Sequence, residues 1–317
     1  MESCHKFSFP LLTLLSLYML FFVAHAEGSL TPRPFNNKIT AAFVFGDSTV
    51  DPGNNNYVKT LFRGNFPPYG KDFRDHVPTG RFTNGKLSTD LIVSYVGIKE
   101  YLPPYLDPNL GIEELMTGVS FASAGSGFDP LTPQISVRIS PFSLFFLFDS
   151  VISLPKQLEY FKEYKNRLQS AIGNRRTEAI IKEAVFLISC GTNDFVVNYF
   201  TLPIRRKSYT VSAYQQFVLQ SFKQVLQDLW DEGARRIAVT GLPPMGCLPA
   251  VITLYSKNAI LERGCIEKLS RVGMEYNQML QNELNSMQGR LAHLDAKITY
   301  VDIFTPLVDI IQGLGKH

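Results

Sequence analysis

The sequence is poor in the residues that build metal centres. Its 317 residues include four cysteines and five histidines, and no two cysteines stand at a C-x-x-C spacing. Histidine and cysteine are adjacent only at Cys4-His5, within the first 26 residues, and form no larger cluster. Zinc sites usually take three or four such ligands, several of them close together in sequence. The pattern therefore argues against a metal site.

The sequence also lacks a large excess of either positive or negative charge. The chain carries 31 Lys and Arg against 28 Asp and Glu, which gives a formal net charge of +3. No run of basic residues is long enough to follow a phosphate backbone or an anionic membrane surface, and such contacts dominate nucleic-acid binding. Nucleic acid is therefore excluded as an expected partner.

Long apolar runs are confined to the start of the chain. Residues 1–26 contain Lys6, an apolar stretch from Leu11 to Val23, and the ending Ala24-His25-Ala26, a pattern typical of a secretory signal peptide. The alternative is an uncleaved anchor, but the stretch is shorter than the roughly 20 residues that span a bilayer. We predict cleavage after Ala26 and no stable membrane span in the mature chain.

The mature chain would keep an odd number of cysteines, namely Cys190, Cys247 and Cys265. In an oxidising compartment an odd count leaves one of them unpaired. Cys247 and Cys265 flank a short segment and are the candidate disulfide, which would contribute about 3 kcal/mol for a loop near this length. Cys190 lies in an apolar run and is expected to be a buried thiol.

What is present in the chain is a series of strand-like runs that each end in glycine or polar residues. They are TAAFVFGDS, EAVFLISCGTND, RRIAVTGLPPMG and KITYVDIFTPL. Continuous hydrophobicity of this kind is typical of strands buried on both faces of a parallel sheet. Helical periodicity separates the runs, as in the stretch from Ser212, a candidate N-cap, to Gly233, and again from Leu269 to Gln288. The order predicts a doubly wound α/β fold, in one domain over residues 27–317.

Ligands bind to such sheets beyond the carboxyl ends of the strands, where Ser48 and Asn193 stand. Ser48 follows the first run, and a serine hydrolase needs a hydroxyl at such a turn. Gly-Asp-Ser is also ordinary turn chemistry. Gly125, in the small-residue run GVSFASAGSGF, and Asn193, in SCGTNDF, can offer N–H donors. Tight packing and helix capping are the respective structural alternatives for these two residues.

These blocks together resemble a known family. FGDSTVDPGNNN, PPYGKDF, PTGRFTNGK, SFASAGSG, SCGTND and GLPPMGCLP occur in this order, as in the plant secreted GDSL esterases and lipases of the SGNH hydrolase superfamily. The likeness runs from Thr40 to about Lys316. It implies a flavodoxin-like three-layer α/β/α sandwich around a mostly parallel sheet.

The resemblance also implies a chemistry. Ser48 would be the nucleophile, and the N–H groups of Ser48 and Gly125 with the Asn193 amide would form the oxyanion hole. The reaction would be transfer of an acyl group from an ester to Ser48 and then to water, without cofactor or metal. The expected partners are small esters, lipids or acylated carbohydrates, and the expected location is extracellular, in the apoplast or cell wall.

One part of the family pattern is not found. The family's base is a histidine in an Asp-x-x-His block beyond the last strand, and this chain contains no such block. His76, His293 and His317 are not credible replacements, so the chain is interpreted as truncated and we expect impaired hydrolysis. The alternative is an extracellular protein that keeps the pocket and binds an acyl or acetylated ligand without catalysis. A structural protein without any ligand is disfavoured because Ser48, Gly125 and Asn193 are all retained.

A second departure from the family lies at residues 137–150, VRISPFSLFFLFDS. The family usually passes directly from LTPQIS to VISLPKQLEYFKEY, so this stretch is interpreted as an insertion. Its apolar part is too short, and too interrupted by Pro141 and Asp149, to span a membrane. An exposed LFFLF would favour aggregation, so the insertion is expected either to pack on the domain or to promote association.

Overall fold

The computed structural model describes residues 39–138, 150–202, 204–256, 258 and 264–313. The predicted signal peptide, residues 1–26, lies outside these ranges, as do residues 139–149 of the predicted insertion and His317. Within the described residues, the four strand-like runs of the sequence form four strands.

These strands make one parallel sheet. They are β1 (Ala42–Gly46), β2 (Val185–Ser189), β3 (Arg236–Thr240) and β4 (Lys297–Val301). Their order in the sheet is β1-β2-β3-β4, and every neighbouring pair is parallel. Gly46 at the end of β1 stands opposite Ser189 at the end of β2. The chain segments that leave these two strands therefore emerge side by side at one edge of the sheet.

A further extended segment lies against the free side of β1. The Val44 N–H donates to the carbonyl of Val119 (3.2 Å), and the Phe121 N–H donates to the carbonyl of Val44 (2.7 Å). Ser120 thus forms a parallel bridge with Val44, and a second one with Pro104. The sheet continues past β1, and the loop that carries Gly125 leaves it at the same edge as Ser48.

Helices occupy the connections between the strands, and a last helix follows β4. They are α1 (Ser88–Tyr95), α2 (Ile112–Met116), α3 (Thr132–Arg138), α4 (Leu154–Ile172), α5 (Asn174–Glu183), α6 (Val211–Asp231), α7 (Pro249–Tyr255), α8 (Glu267–Leu291) and α9 (Phe304–Ile311). The helices predicted over the two periodic stretches are α6 and α8. A π-helical segment, Asp194–Thr201, follows β2.

The predicted N-cap of α6 was wrong by two residues. Thr210, not Ser212, is the cap, because its extended backbone lets its hydroxyl accept the Ala213 N–H at 3.2 Å. Ser212 already lies inside the helix. The predicted stop is in place: Gly233 follows the helix with φ +107°, a conformation that L-residues rarely adopt.

Both faces of β1 are buried, as the continuous apolar run predicted. Phe43 and Phe45 point to one face, where the Phe43 ring packs on Phe161 of α4 with centroids 5.4 Å apart. Ala42 and Val44 point to the other face, into a second buried cluster. Helices on both sides of a parallel sheet make the fold an α/β sandwich, which confirms the predicted class.

The three cysteines in the described part of the chain have different environments. Cys247 and Cys265 are joined by a disulfide that closes a sequence separation of 18. Cys190 is a buried free thiol one residue past β2, and burial raises the pKa of that thiol. The disulfide therefore links the segment after β3 to the start of α8.

Two kinds of feature are absent from the part of the chain that the structure describes. No helix there is both long enough and apolar enough to cross a membrane. No group of three or more His, Cys, Asp or Glu side chains is placed to hold a metal ion in that part.

Candidate active site at the carboxyl edge of the sheet

Ser48 lies in a tight turn directly after β1 and is half-buried. The Asp47 N–H donates to the carbonyl of Ser189 (3.1 Å), which carries the β1–β2 pairing one residue beyond the strand. Gly46 is required at the start of this turn. It has φ +148°, and a Cβ there would lie 1.9 Å from the Ser189 carbonyl oxygen.

The turn is held from inside by Asp47. This carboxyl group is buried and accepts both the backbone N–H (3.0 Å) and the hydroxyl (2.8 Å) of Thr49. The Thr49 hydroxyl is also 2.8 Å from the hydroxyl of Ser189. Ser48 is thus flanked by two residues that are hydrogen-bonded to each other and to the end of β2.

Gly125 lies in the loop that follows the extended segment beside β1. The Ser123 N–H donates to the carbonyl of Gly46 (3.0 Å), so this loop begins against the turn that carries Ser48. Gly125 itself has φ +88° and is half-buried. A Cβ there would meet only ordinary contacts, the nearest being Val151 at 3.4 Å. Backbone conformation, rather than the tight packing considered from the sequence, accounts for the glycine.

Three polar residues just after Ser48 hold that loop in place. The Asn54 amide donates to the carbonyl of Ala122 (2.9 Å), and the Asn55 amide donates to the carbonyl of Ala124 (3.0 Å). The Asp51 carboxyl group accepts the N–H of Ala124 (2.9 Å). All three side chains are buried. The DPGNNN stretch therefore positions the backbone next to Gly125.

Asn193 lies at the same edge, in the segment that follows β2. It is half-buried, and its side-chain amide donates to the carbonyl of Ser126 at 2.9 Å. It makes no capping hydrogen bond to the helical segment that begins at Asp194, so the capping alternative does not describe this side chain. The amide ties the segment after β2 to the residue that follows Gly125.

Two polar residues that the sequence analysis did not single out are buried at this edge. Gln157 interrupts the apolar face of α4, between Leu154 and Phe161, and contacts Gly46. Asp194 accepts the backbone N–H groups of Phe128 (2.8 Å) and Asp129 (3.0 Å). A glutamine on an otherwise apolar helix face was a usable signal. Asp194 carried no such signal.

Asp194 belongs to a buried polar network with Asp129. Arg205 donates to both carboxyl oxygens of Asp129 at 2.6 Å, and the hydroxyl of Tyr214 donates to one of them at 3.0 Å. The hydroxyl of Thr132 donates to Asp194 at 2.5 Å. Both carboxyl groups are fully buried. The network fastens the loop after Gly125 to α6 and to the segment after β2.

Burial raises the pKa of three carboxyl groups around the site. The pKa of Asp47 rises from 3.8 to about 6, although hydrogen bonds from Thr49 oppose the shift. The pKa values of Asp51 and Asp194 rise from 3.8 to about 7, against hydrogen bonds from backbone N–H groups to both and, for Asp194, first from the Thr132 hydroxyl. All three groups therefore bind a proton more tightly in the folded chain than in the unfolded chain.

The raised pKa of Asp194 predicts how the free energy of unfolding depends on pH. Because the folded-state pKa of Asp194 lies above its unfolded value, its contribution is fully present below about pH 4 and is lost as the pH rises through about 7. We expect Asp194→Asn to make the fall in unfolding free energy over this range shallower than in the wild type. Urea titrations at the two ends of the range measure the difference. Replacing the exposed Asp309 by Asn is the control, and an equal slope in Asp194→Asn and the wild type would contradict the prediction.

The two described histidines lie elsewhere. His76 is exposed in a turn, with Nδ1 at the carbonyl of Lys71. His293 is exposed in the turn before β4, at the amino edge of the sheet and so opposite to the edge of Ser48. Within the described ranges, the hydrogen bonds of neither ring reach Ser48.

Ser48, Gly125 and Asn193 thus lie on adjoining loops at one edge of the sheet. Acyl transfer by a serine requires a hydroxyl with N–H donors near it. Comparison with known proteins places the chain among the hydrolases of ester bonds. The family model described as GDSL-like Lipase/Acylhydrolase matches residues 43–316. The chain belongs to this family, as the motifs of the sequence indicated.

Plant proteins of the family are similar over most of the chain. GDSL esterase/lipase At5g45960 of Arabidopsis thaliana is 57% identical over 280 residues, which are 88% of this chain and 71% of the relative. GDSL esterase/lipase APG of the same plant is 40% identical over 316 residues, covering 100% of this chain and 81% of the relative. GDSL esterase/lipase At1g06990 is 44% identical over 277 residues, with 87% and 72% covered.

Proposed function

We propose that the chain is a secreted ester hydrolase in which Ser48 attacks the carbonyl carbon of a lipid or another carboxylic ester. The N–H groups of Ser48 and Gly125 and the amide of Asn193 stabilise the oxyanion that forms. The observation that carries the proposal is the hydrogen bonding of the three loops at one edge: Ser123 to Gly46 at 3.0 Å, and Asn193 to Ser126 at 2.9 Å.

The reaction proceeds in two steps. In the first, the Ser48 oxygen bonds to the carbonyl carbon, the bond to the alcohol oxygen breaks, and the alcohol leaves with the serine proton. In the second, water attacks the acyl group and releases the acid, which restores the hydroxyl. Donors preorganised around the oxyanion act in both steps because each passes through a tetrahedral intermediate.

Turnover of this 317-residue chain is expected to be slow. A serine hydroxyl is a weak nucleophile at its ordinary pKa, and an adjacent imidazole normally activates it. His76 and His293 both lie away from the turn of Ser48. What the described residues supply is oxyanion stabilisation and binding, which alone leave a triad hydrolase roughly 10³ to 10⁴ faster than water.

Acylation of Ser48 tests the proposal. The purified chain is mixed with p-nitrophenyl acetate, nitrophenolate release is followed, and the acetylated residue is located by mass spectrometry. We expect an acetyl group on Ser48, slow turnover, and loss of both signals in Ser48→Ala. Ser94→Ala, on the exposed side of α1, is the matched control. An unchanged rate in Ser48→Ala would refute the serine mechanism, whereas rapid turnover by the wild type would refute only the expected impairment.

A non-catalytic binding protein is the second candidate, favoured by the positions of the two histidines. It would bind an acyl or acetylated ligand at the same edge without forming an adduct. Titration of the Ser48→Ala variant with a non-hydrolysable amide analogue of the ester distinguishes the two functions when it is read beside the acylation result. Saturable binding to the wild type and the variant, without any adduct on the wild type, supports the binding function.

A further inference from the structure

We propose that Gln157 is a positioning residue for acyl transfer: its buried amide holds the turn of Ser48 and the loop of Gly125 in one fixed arrangement. The inference rests on the proposed function, because it gives Gln157 a role in orienting the Ser48 hydroxyl relative to the oxyanion donors. Gln157 does not itself touch the reacting atoms in this assignment.

The contacts of Gln157 are made at the end of β1. Its side chain is 0% exposed. Its Oε1 accepts the Gly46 N–H at 2.9 Å, and its Nε2 donates to the Gly46 carbonyl at 2.9 Å. One side chain therefore engages both backbone polar groups of the residue that starts the Ser48 turn.

The same amide nitrogen faces the neighbouring loop. Nε2 lies 3.2 Å from the carbonyl of Ile152 and 3.4 Å from the hydroxyl of Ser126. Ser126 in turn accepts the Asn193 amide on its carbonyl oxygen at 2.9 Å. A chain of hydrogen bonds thus runs from Gly46 through Gln157 and Ser126 to Asn193. The amide connects the hydroxyl side of the site to both segments that would supply N–H donors.

Only an amide satisfies these contacts. A carboxylate accepts but cannot donate, and a hydrocarbon does neither. The Gly46 carbonyl keeps the Ser123 N–H in either case, but a carboxylate sets a second, charged oxygen against that carbonyl, and a hydrocarbon leaves the buried Gly46 N–H without a partner. The chain can relieve either defect only by shifting the turn. A misplacement of about 1 Å in a catalytic geometry can lower a rate by roughly 10²-fold. The orientation of Ser48 is therefore expected to be more sensitive to Gln157 than the overall fold is.

The chain contains a matched control for this side chain. Asn277 of α8 is buried, accepts the Leu242 N–H at 2.6 Å and donates to the Leu242 carbonyl at 2.9 Å. Leu242 follows β3 by two residues. Asn277 therefore makes the same paired contact as Gln157, but on the backbone that follows another strand. Converting either amide to a carboxylate removes the same donor from the same kind of site.

The test compares Gln157→Glu with Asn277→Asp in the full chain. Acylation of Ser48 by p-nitrophenyl acetate is measured at a temperature well below the melting midpoints of both variants. We expect the rate to fall by roughly 10- to 100-fold in Gln157→Glu and to stay close to that of the wild type in Asn277→Asp, at a comparable loss of melting temperature. An equal loss of rate in the two variants would overturn the assignment.

The pH dependence of Gln157→Glu provides a readout that loss of stability alone does not. Once protonated, the new carboxyl group can again donate to the carbonyl of Gly46, and burial raises its pKa towards neutrality. The ratio of the variant rate to the wild-type rate should therefore rise as the pH falls. A ratio that is independent of pH would contradict the positioning role.

Other titratable groups lie on α4 and at the ends of β1 and β2. Asp47 and Asp51 lie in the turn after β1, and Cys190 follows β2. Lys156 and Glu159 flank the glutamine on α4 and form an exposed ion pair. All five groups are present in the wild type as well as in the variant. Dividing the two rates at each pH therefore removes their shared effect.

Two further variants keep the outcome interpretable. Gln157→Met removes the amide without adding a buried charge and replaces Gln157→Glu if the latter does not fold, with the same loss of rate expected. Ser48→Ala separates the two proposals. If Ser48→Ala reacts as fast as the wild type, the serine mechanism fails and this inference fails with it. If Ser48→Ala is inactive but both Gln157 variants react like the wild type, only the inference fails.

Discussion

Replacing Asn193 by alanine is expected to slow acylation of Ser48 by about 10²- to 10³-fold, the usual effect of losing one oxyanion donor. The substitution removes the side-chain amide and also its hydrogen bond to the Ser126 carbonyl. The initial release of nitrophenolate from p-nitrophenyl acetate measures the rate, and Asn193→Asp should be at least as slow because a negative charge would oppose the developing oxyanion.

The control for this substitution is Asn166→Ala, on the exposed side of α4. It removes the same side chain far along the helix from Gln157 and should leave the acylation rate unchanged. A melting curve for Asn193→Ala shows whether the loss of rate reflects unfolding. A rate within about threefold of the wild type would exclude Asn193 from the oxyanion hole, because a single donor normally contributes far more.

The second large effect is expected on stability, at the buried ion pair of Arg81 and Asp90. Arg81 donates to both oxygens of Asp90, at 2.9 and 3.1 Å, and the two side chains are 8% and 0% exposed. Arg81→Met leaves the carboxylate buried without its countercharge, which typically costs about 3–5 kcal/mol. Urea denaturation should show this loss in the free energy of unfolding.

Arg74→Met is the matched control for Arg81→Met. Arg74 pairs with Asp75 at 3.8 Å, but these two side chains are 77% and 81% exposed. An exposed pair contributes about 1 kcal/mol or less, because water screens the two charges. If both variants lost similar stability, burial would not be what makes the Arg81 pair strong.

The Arg81 pair has a consequence for the site as well as for stability. Asp90 also accepts the backbone N–H groups of Leu87 and Leu102, both at 2.9 Å. The pair thus joins the start of α1 to the segment that leads into the extended stretch beside β1. Arg81 is part of the scaffold around the loop of Gly125, since its guanidinium donates to Asp90, to the carbonyl of Leu102 and to the hydroxyl of Thr79.

Most of the architecture followed from local patterns in the sequence. Four apolar runs correspond to β1 through β4. A strand that is buried on both faces has to be apolar at nearly every position, and β1 is buried throughout, whereas β4 exposes Lys297 and Thr299. The long helices α6 and α8 followed from a three- and four-residue apolar spacing. The cap of α6 was misplaced because Thr210 and Ser212 are both good caps, and only the backbone at Thr210 has the extended conformation that capping needs.

The sequence was enough to name candidate residues for the site, but not the residues that hydrogen-bond to their loops. Ser48 and Asn193 stood at the ends of strand-like runs, and parallel strands present those ends at one edge. Gly125 stood in a small-residue run that the sequence did not assign to the sheet. These hydrogen-bond partners could not be predicted because they are distant in sequence: Gly46 and Gln157 are separated by 111 positions. The sequence around a single glutamine or aspartate does not identify so distant a hydrogen-bond partner.

By itself the sequence determined the fold class, the order of the strands along the chain, the family and the edge at which its polar residues gather, because hydrophobic periodicity and short turns are local properties. Only the tertiary structure decided that the stretch before Gly125 lies against β1, that Asp51, Asn54 and Asn55 hold it there, and that Asp129 and Asp194 share one buried network. Those contacts depend on which distant backbone groups are left to be satisfied once the sheet has formed, and burial makes each unsatisfied group costly.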